Sequence, residues 1–317
     1  YAERGGNHVV IFHFGGSPFV FERVFSQYLA AGFGYFLVSS DPLFTPRSWI
    51  FVDSNIFKGA TLTNNLLLSA QNLQKQFGAV VAAQDICIDI STGERVSLIG
   101  SNGAGKTTFV NMITGYLKPD SGVIQFNNSD ITNLSPRQIT HLGVARSFQI
   151  PQLYPALTVM ENMLVAMACH ENKLSIWRSS NNQELLSRGA ELLERFGLFQ
   201  HSQRRVKELP GGIRKLLDIA IAMTGSPKLL LLDEPTSGVS AEEKFPMMDT
   251  IMRVLGNEPL TALFVEHDMD IVRRYADRVI AFYSGRIIAD ASPEQALAND
   301  DVRRYVTGEL RQESSHA

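Results

Sequence analysis

One glycine-rich segment constrains this chain more than any other feature. It matches the pattern G-x-x-x-x-G-K-[ST], in which glycines let successive backbone N–H groups turn toward a phosphate. The apolar run 96–99 before it is typical of a buried strand, and residues 109–113 after it have helical character. A strand, a glycine loop and a helix N-terminus together favour a phosphate-binding loop over a chance match in a plain turn. The segment consists of Gly100, Ser101, Asn102, Gly103, Ala104, Gly105, Lys106, Thr107 and Thr108.

Side chains that could act on a bound phosphate come from two places in the sequence. In the loop, Lys106 is expected to reach the β- and γ-phosphates, and the Thr107 hydroxyl is expected to bind Mg²⁺. Far along the chain, the leucine run 229–232 ends in Asp233 and Glu234. Asp233 would hold Mg²⁺ through water, and Glu234 is placed to polarise an attacking water as a general base. The alternative is a buried strand that ends in two solvated acids.

Composition sets broad limits on the protein. The chain has 317 residues, enough for one large domain or two smaller ones, and 44% of them are hydrophobic. A net charge of -3 gives no overall attraction to nucleic acid, so we predict no nucleic-acid partner. Cys87 and Cys169 lie in apolar stretches without metal-ligand spacing, which predicts buried thiols in a reducing compartment.

The first 62 residues differ from the rest of the chain. They are rich in aromatic residues, poor in charge and without a sustained helical or alternating period. The uncharged run 24–40 is at the short limit for a membrane span, and its Ser, Gln and Gly residues weaken that interpretation further. We therefore predict an N-terminal extension of unknown role.

The middle of the chain reads as strands followed by helices. Residues 66–73 and 80–90 are predicted strands joined by a turn at 74–78, and this antiparallel pair leads into the strand before the glycine loop. Residues 150–209 are mainly helical, with predicted helices at 158–168 and 184–196. Thr158 and Glu161 form a capping box at the start of the first of these helices, and Ser135-Pro136 marks another helix start.

Strands and helices alternate in the last third of the chain. Apolar strands are predicted at 228–233 and 260–265, with helices near 212–224, 241–255 and 269–276. This alternation indicates a largely parallel sheet flanked by helices, into which the helical stretch is inserted as a lobe. The predicted regions are 1–62 (extension), 63–148 (core, first part), 149–209 (helical subdomain), 210–290 (core, second part) and 291–317 (C-terminal extension).

Two further motifs narrow the class. Arg146-Ser147-Phe148-Gln149 ends the first core segment, and a glycine turn opens a helix about twenty residues before Asp233. With these in place, residues 66–310 resemble the nucleotide-binding subunit of an ATP-binding cassette (ABC) transporter. The resemblance implies an α/β fold of the P-loop NTPase type, with an antiparallel β region at its start, an inserted helical lobe, and ATPase activity with ATP and Mg²⁺ as cofactors.

The resemblance also implies a role for each matching position. Phe77 would stack on adenine, although a core position is equally compatible with its place in the sequence. Gln149 would contact Mg²⁺ and the attacking water, and His267 would contact the γ-phosphate, where a plain surface histidine is the alternative. The glycine turn would be the signature loop, which closes over the ATP of a neighbouring subunit; alone it could be an ordinary turn. That loop consists of Leu209, Pro210, Gly211, Gly212 and Ile213.

Two positions depart from the family pattern. Pro210 replaces the usual signature serine, which removes a hydroxyl donor, and Ser240 stands where the loop after the acid pair usually ends in Asp. Ser240 can still cap a helix together with Glu243. A homodimer would carry these changes in both composite sites, so we predict a heterodimer with a second ABC ATPase subunit. A degenerate cassette that binds ATP for a structural or regulatory purpose is an alternative.

The sequences of three segments resemble those of one ABC subfamily. The stretch from Gly143 to Asn162, the residues Val265 to Asp270 and the segment Ser292-Pro293-Glu294 are similar to ATPase subunits of branched-chain amino acid importers. This implies permease subunits, a solute-binding protein and a peripheral place at the cytoplasmic face of the inner membrane. Residues 150–165 would line the groove that receives a helix of the permease, and packing inside the lobe is the alternative for their apolar side chains. Urea-import and lipopolysaccharide-export ATPases have similar segments, and a soluble ABC ATPase acting in DNA repair or translation is the alternative from another class.

Overall fold

The computed structural model of the chain describes residues 66–170, 179–256 and 260–308, together with the backbone of four short strands before residue 51. By its internal contacts the chain divides into two units, 1–64 and 65–317. Among the described residues, no helix is both long and apolar enough to cross a membrane.

The four early strands form an antiparallel sheet in chain order. No regular element was predicted here, yet β-branched and aromatic residues dominate these segments, and such residues favour strands. The remainder of the uncharged run 24–40 lies outside the described residues. The strands are β1 (Val9–Phe14), β2 (Ser17–Glu22), β3 (Tyr35–Ser39) and β4 (Trp49–Ile50).

An antiparallel sheet opens the second unit, as predicted. Its strand order is β6-β5-β8-β9. The predicted turn at 74–78 was too long, because the strand continues to Phe77 and only Gly78 and Ala79 turn. Gln74 and Gln76 lie on the exposed face of the strand and Lys75 between them is half-buried, and an antiparallel sheet tolerates such polar positions near a hairpin end. The strands are β5 (Leu66–Phe77), β6 (Val80–Ser91), β8 (Ser121–Phe126) and β9 (Ser129–Asp130).

A six-stranded sheet, parallel except for its last strand, forms the centre of this unit. Its order is β10-β11-β12-β7-β13-β14, and β14 pairs antiparallel with β13. The parallel sheet predicted from the alternating pattern is thus confirmed. The strands are β7 (Arg95–Gly100), β10 (Val144–Ser147), β11 (Leu229–Asp233), β12 (Thr261–Val265), β13 (Arg278–Tyr283) and β14 (Arg286–Ala291).

The leucine run of β11 shows how the core is divided. Leu229 and Leu231 pack into the cluster that lies between the two sheets and α1 (Lys106–Ile113). Leu230 and Leu232 pack into the opposite cluster, with the helical lobe. Successive side chains of a strand point to opposite faces, so only a run without polar residues can fill both clusters.

The helices largely match the predicted segments. Thr158 and Glu161 make both capping-box contacts, and Ser135 and Gln138 form a second box. The second helix of the lobe begins at Ser179, before the predicted start at Glu184. The prediction placed the start too late because the first turn of the helix is polar and the apolar period begins only at Leu185. The other α-helices of the described residues are α2 (Pro136–His141), α3 (Val159–His170), α4 (Ser179–Arg195), α5 (Gly211–Ala222), α6 (Ala241–Gly256), α7 (Met269–Tyr275), α8 (Pro293–Ala298) and α9 (Asp300–Val302).

The prediction of buried cysteines was wrong. Both thiols are exposed. Cys87 lies on β6 between buried Ile86 and Ile88, so the alternation of the strand turns it outward. Cys169 occupies an exposed position in the last turn of α3. Apolar neighbours in the sequence are therefore not neighbours in the core at either position.

Candidate active site

Four parallel strands end at the same edge of the central sheet, and the predicted site residues follow those ends. The glycine loop follows β7, Gln149 follows β10, Glu234 follows β11 and His267 follows β12. The carboxyl ends of strands in an open α/β sheet are the usual place for a ligand. The topology alone therefore gathers residues that lie far apart in the sequence.

The glycine loop is compact and held against the sheet. The N–H of Ala104 donates to the carbonyl of Ser101 at 3.1 Å, and α1 begins at Lys106. A Cβ at Gly100 would lie 2.5 Å from the carbonyl oxygen of Phe282 in β13, which only a glycine avoids. Of the other loop residues, Ala104 and Gly105 are buried, Ser101 and Thr108 are half-buried, and Asn102, Gly103 and Thr107 are exposed.

Lys106 places a cation inside this loop. Its Nζ donates to the carbonyls of Gly100 at 2.6 Å and Ser101 at 3.1 Å. Burial lowers the pKa of Lys106, while the charges of Glu234 and Asp233 act in the opposite direction. A cation among the N–H groups of a helix start is suited to binding a phosphate.

Two of the three predicted catalytic side chains, Gln149 and His267, contact the third, Glu234. The Nε2 group of Gln149 donates to Oε2 of Glu234 at 2.7 Å. The Nε2 atom of His267 lies 3.1 Å from Oε1 of Glu234. Glu234 has a φ of 46°, a left-handed conformation that is uncommon for residues other than glycine and is often found at functional sites. The carboxylate is thus oriented from two sides by polar partners.

An arginine that the motif analysis left without a role connects two parts of the site. Arg146 donates from Nη2 to Oδ2 of Asp233 at 2.6 Å and from Nη1 to Oδ1 of Asn111 at 2.7 Å. Asn111 belongs to α1 and Asp233 ends β11. Arg146 therefore ties the helix of the glycine loop to the acidic strand end, and it balances the charge of Asp233.

Comparison with known proteins identifies the family. The family profile described as ABC transporter matches residues 83–237. The high-affinity branched-chain amino acid transport ATP-binding protein LivG of Escherichia coli (strain K12) is 36% identical over 253 residues, which cover 77% of this chain and 98% of LivG. A probable branched-chain amino acid transport ATP-binding protein of Methanocaldococcus jannaschii is 34% identical over 238 residues, or 74% and 92% of the two chains.

The chain belongs to the ATP-binding cassette family of ABC transporters. A solved cassette of an ABC transporter in its ADP conformation superposes with a TM-score of 0.67 at 33% identity, covering 75% of this chain and 97% of that one. The predicted family and fold class, an α/β P-loop NTPase, are confirmed. As expected of an ABC ATPase, the cassette is an ATP-binding enzyme.

The segment that resembles the signature loop starts α5 of the cassette. Pro210 is the N-cap residue, and Gly211 is the first residue of the helix. Leu209 is buried, Pro210 and Gly211 are exposed, and Gly212 and Ile213 are half-buried. Among the described residues, no hydrogen bond joins this segment to the glycine loop.

Phe77 lies at the end of the β5–β6 hairpin, and half of its surface is exposed (50%). The core alternative for Phe77 is therefore wrong. The Lys75 Nζ atom lies 5.6 Å from the centre of its ring.

Ser240, which departs from the family pattern as Pro210 does, lies at the start of α6. Its hydroxyl donates to Glu243 at 2.9 Å, so the predicted pair forms a contact.

Sequence reasoning gave no role to Glu266, a buried carboxylate next to His267. Its Oε1 accepts from the hydroxyl of Thr236 at 2.8 Å and from the Thr236 N–H at 3.2 Å, and its Oε2 accepts from the N–H of His267 at 3.2 Å. Glu266 thereby links the loop after Glu234 to the loop that carries His267. The sequence signal that could have identified Glu266 is an acidic residue directly after an apolar strand.

Replacing Glu266 with glutamine is expected to change how stability depends on pH. Burial raises the pKa of Glu266 above its ordinary value, against the opposing hydrogen bonds from Thr236, His267 and Asp268. A raised pKa in the folded state means that stability is lost as pH rises from the unfolded pKa through the folded one. Glu266→Gln removes this loss, so the melting temperature of the variant relative to the unmodified chain should increase as the pH rises above the ordinary pKa of a glutamate, about 4.

Thermal unfolding at constant ionic strength measures this difference. The exposed Glu191 of α4 provides a matched control, and Glu191→Gln should shift the melting temperature by a similar amount at every pH. A constant difference for Glu266→Gln would contradict the prediction. An offset that is equal at all pH values only reports the hydrogen bond that an amide cannot accept.

Proposed function

We propose that this cassette is the ATP-hydrolysing subunit of an importer for branched-chain amino acids. The observation that carries the ATPase part is the contact of Gln149 and His267 with Glu234 at the sheet edge where the glycine loop opens. The substrate class is supported by relatives whose names state branched-chain amino acid transport.

Each predicted residue has a role in this proposal. The N–H groups of residues 100–108 and the Nζ of Lys106 bind the phosphates, while the exposed ring of Phe77 stacks on adenine. Glu234 takes a proton from the attacking water, and His267 contacts the γ-phosphate. Positioning and charge stabilisation supply most of the rate enhancement in phosphoryl transfer.

The donor set is suited to magnesium. The hydroxyl of Thr107, the carboxylate of Asp233 and the amide oxygen of Gln149 are hard oxygen donors of the kind that Mg²⁺ prefers. Arg146, which also donates to Asn111, orients the carboxylate of Asp233. When bound, magnesium would neutralise charge on the phosphate oxygens.

We infer further that the signature segment acts on the ATP of a second cassette. Gly211 and Gly212 stand at the N-terminus of α5, where free N–H groups and the helix dipole favour a phosphate. Because Pro210 and Ser240 alter both elements that face a partner, a different ATPase subunit is the proposed partner. Permease subunits would place the pair at the cytoplasmic face of the membrane, and a solute-binding protein would deliver the amino acid.

We propose that the permease contacts residues 150–165 and also a cleft, which is lined not by that segment but by residues before and after it in the sequence. Its volume is about 710 Å³, and it lies between α2, the end of α3 and the end of α5. Tyr116 and Phe148 line it, and their rings meet edge to face with centroids 6.1 Å apart. Within 150–165, Ile150 and Tyr154 are exposed, whereas Val159 and Met163 are buried in the lobe, so only part of that segment can face a partner.

Reconstitution tests the proposed function. The cassette, co-expressed with the adjoining permease and second ATPase subunits, is placed in vesicles with ATP and magnesium. We expect ATP-dependent uptake of labelled leucine that ceases when magnesium is chelated. Uptake of labelled urea instead would transfer the assignment to another importer class, and ATP binding without turnover in the complete assembly would support a regulatory cassette.

A further inference from the structure

Two charged residues of α5 point into the protein. Lys215 is 3% exposed and Asp218 is 5% exposed, and they are three residues apart, on one face of the helix. Lysine and aspartate are almost never fully buried unless they are paired. The two buried side chains therefore need polar partners, and a leucine at either position would leave those partners without a hydrogen bond.

Lys215 uses all the donors of its ammonium group on three backbone carbonyls. Its Nζ donates to the carbonyl of Phe148 at 2.7 Å, of Gln149 at 3.1 Å and of Asp233 at 3.1 Å. Because an ammonium has three N–H groups, the group is satisfied. These carbonyls flank two of the residues on which ATP hydrolysis depends, Gln149 and Glu234.

The contact with Asp233 fixes the backbone that leads to Glu234. The peptide unit between these residues accepts from Lys215 through its carbonyl, and its N–H donates to the carbonyl of Val265 at 3.0 Å. Both polar groups of the unit are thus held. The left-handed φ of Glu234, 46°, is thus maintained by hydrogen bonds to the peptide unit that precedes its Cα atom.

Asp218 holds the same segment from a second direction. Its Oδ2 accepts from the Ser147 hydroxyl at 2.7 Å and from the Phe148 N–H at 3.1 Å, and its Oδ1 accepts from the Gln152 N–H at 3.1 Å. Residues 147–152 are consequently attached to α5 through both buried charges. Burial lowers the pKa of Lys215, and the negative charges of Asp218 and Asp233 act in the opposite direction.

We propose that Lys215 is a positioning residue of the ATPase site. It fixes the backbones of Gln149 and Glu234 relative to each other and couples the position of both to that of α5. This inference rests on the proposed function. The helix begins at Gly211, the segment proposed to face the ATP of a neighbouring subunit. A shift of α5 therefore moves the carbonyls that Lys215 holds, and the geometry around Glu234 changes with it.

The test compares full-length variants. Lys215→Met keeps the length of the side chain and removes its donors, Lys215→Arg keeps charge and donors, and Lys228→Met changes an exposed lysine beyond α5. Three experiments are made: equilibrium binding of Mg-ATP, steady-state hydrolysis for kcat and KM, and hydrogen exchange of the amides of residues 147–150 and 152 with and without Mg-ATP.

Lys215→Met should bind ATP nearly as tightly as the unmodified chain but lose about 10- to 100-fold in kcat, because a displacement near 1 Å can cost that much. Its amides at 147–150 and 152 should no longer change their exchange when ATP binds. Lys215→Arg should recover much of the lost kcat, and Lys228→Met should behave as the unmodified chain.

Several outcomes overturn the inference. Unchanged kcat and an unchanged exchange response in Lys215→Met would do so, and so would equal losses of ATP binding and kcat with a lowered melting temperature, which report structure alone. If the methionine variant does not fold, Lys215→Gln replaces it, with the same expectations and the same contrary results. Absence of turnover in the unmodified chain would refute the proposed function itself, whereas turnover insensitive to Lys215 refutes only this inference.

Discussion

Replacing Glu234 with glutamine is expected to stop ATP hydrolysis while ATP binding persists. The amide keeps the shape of the side chain and a contact with Gln149, but it cannot take a proton from water. Loss of a general base lowers kcat by about 10²- to 10⁴-fold. Binding should be unchanged or tighter, since the change removes a negative charge near the phosphates. Phosphate release under saturating Mg-ATP and equilibrium binding of a fluorescent ATP analogue measure the two effects.

Glu191→Gln is the matched control for this prediction, because Glu191 is an exposed residue of α4. It should hydrolyse ATP at the unmodified rate. Hydrolysis at the full rate by Glu234→Gln would remove Glu234 from the role of general base. The two contacts of its carboxylate, with Gln149 and His267, would then serve only to order the loops.

The parts of the site that the sequence reveals are those encoded by neighbouring residues. The glycine loop has all its phosphate-binding donors within nine consecutive positions, and the residues on either side of it predict the strand and the helix that hold it. The leucine run 229–232 predicts its own burial, because four apolar residues in a row leave neither face of a strand for solvent. The capping pair Thr158 and Glu161 is likewise a local code, and the structure contains both of its contacts.

The parts that sequence patterns missed depend on contacts between distant segments. Lys215 meets the carbonyl of Gln149 across 66 positions, and Arg146 meets Asp233 across 87. A charged residue in a helix is ordinarily interpreted as exposed, so no periodicity marks Lys215 or Asp218 as buried. The turn predicted at 74–78 was too long for a related reason. Three consecutive polar residues, exposed Gln74 and Gln76 with half-buried Lys75 between them, resemble a turn in sequence although they belong to the end of strand β5.

Replacing Lys106 with methionine is expected to abolish nucleotide binding and, with it, hydrolysis. The Nζ group of Lys106 lies inside the glycine loop, where burial makes its interaction with a phosphate strong. Removing one partner of a buried charged pair costs about 2–5 kcal/mol, which corresponds to a loss of roughly 30-fold or more in affinity. Titration with a fluorescent ATP analogue measures the affinity, and phosphate release measures turnover.

The pattern of the two losses separates Lys106 from Glu234. Lys106→Met should fail in both assays, Glu234→Gln in hydrolysis alone, and the exposed control Lys228→Met in neither. Some loss of stability is also expected in Lys106→Met, because the carbonyls of Gly100 and Ser101 lose their donor; a melting curve in the absence of nucleotide measures it separately. Unchanged ATP affinity in a folded Lys106→Met chain would show that the backbone N–H groups of the loop bind the phosphates without this cation, and the electrostatic account of the glycine loop would then be wrong.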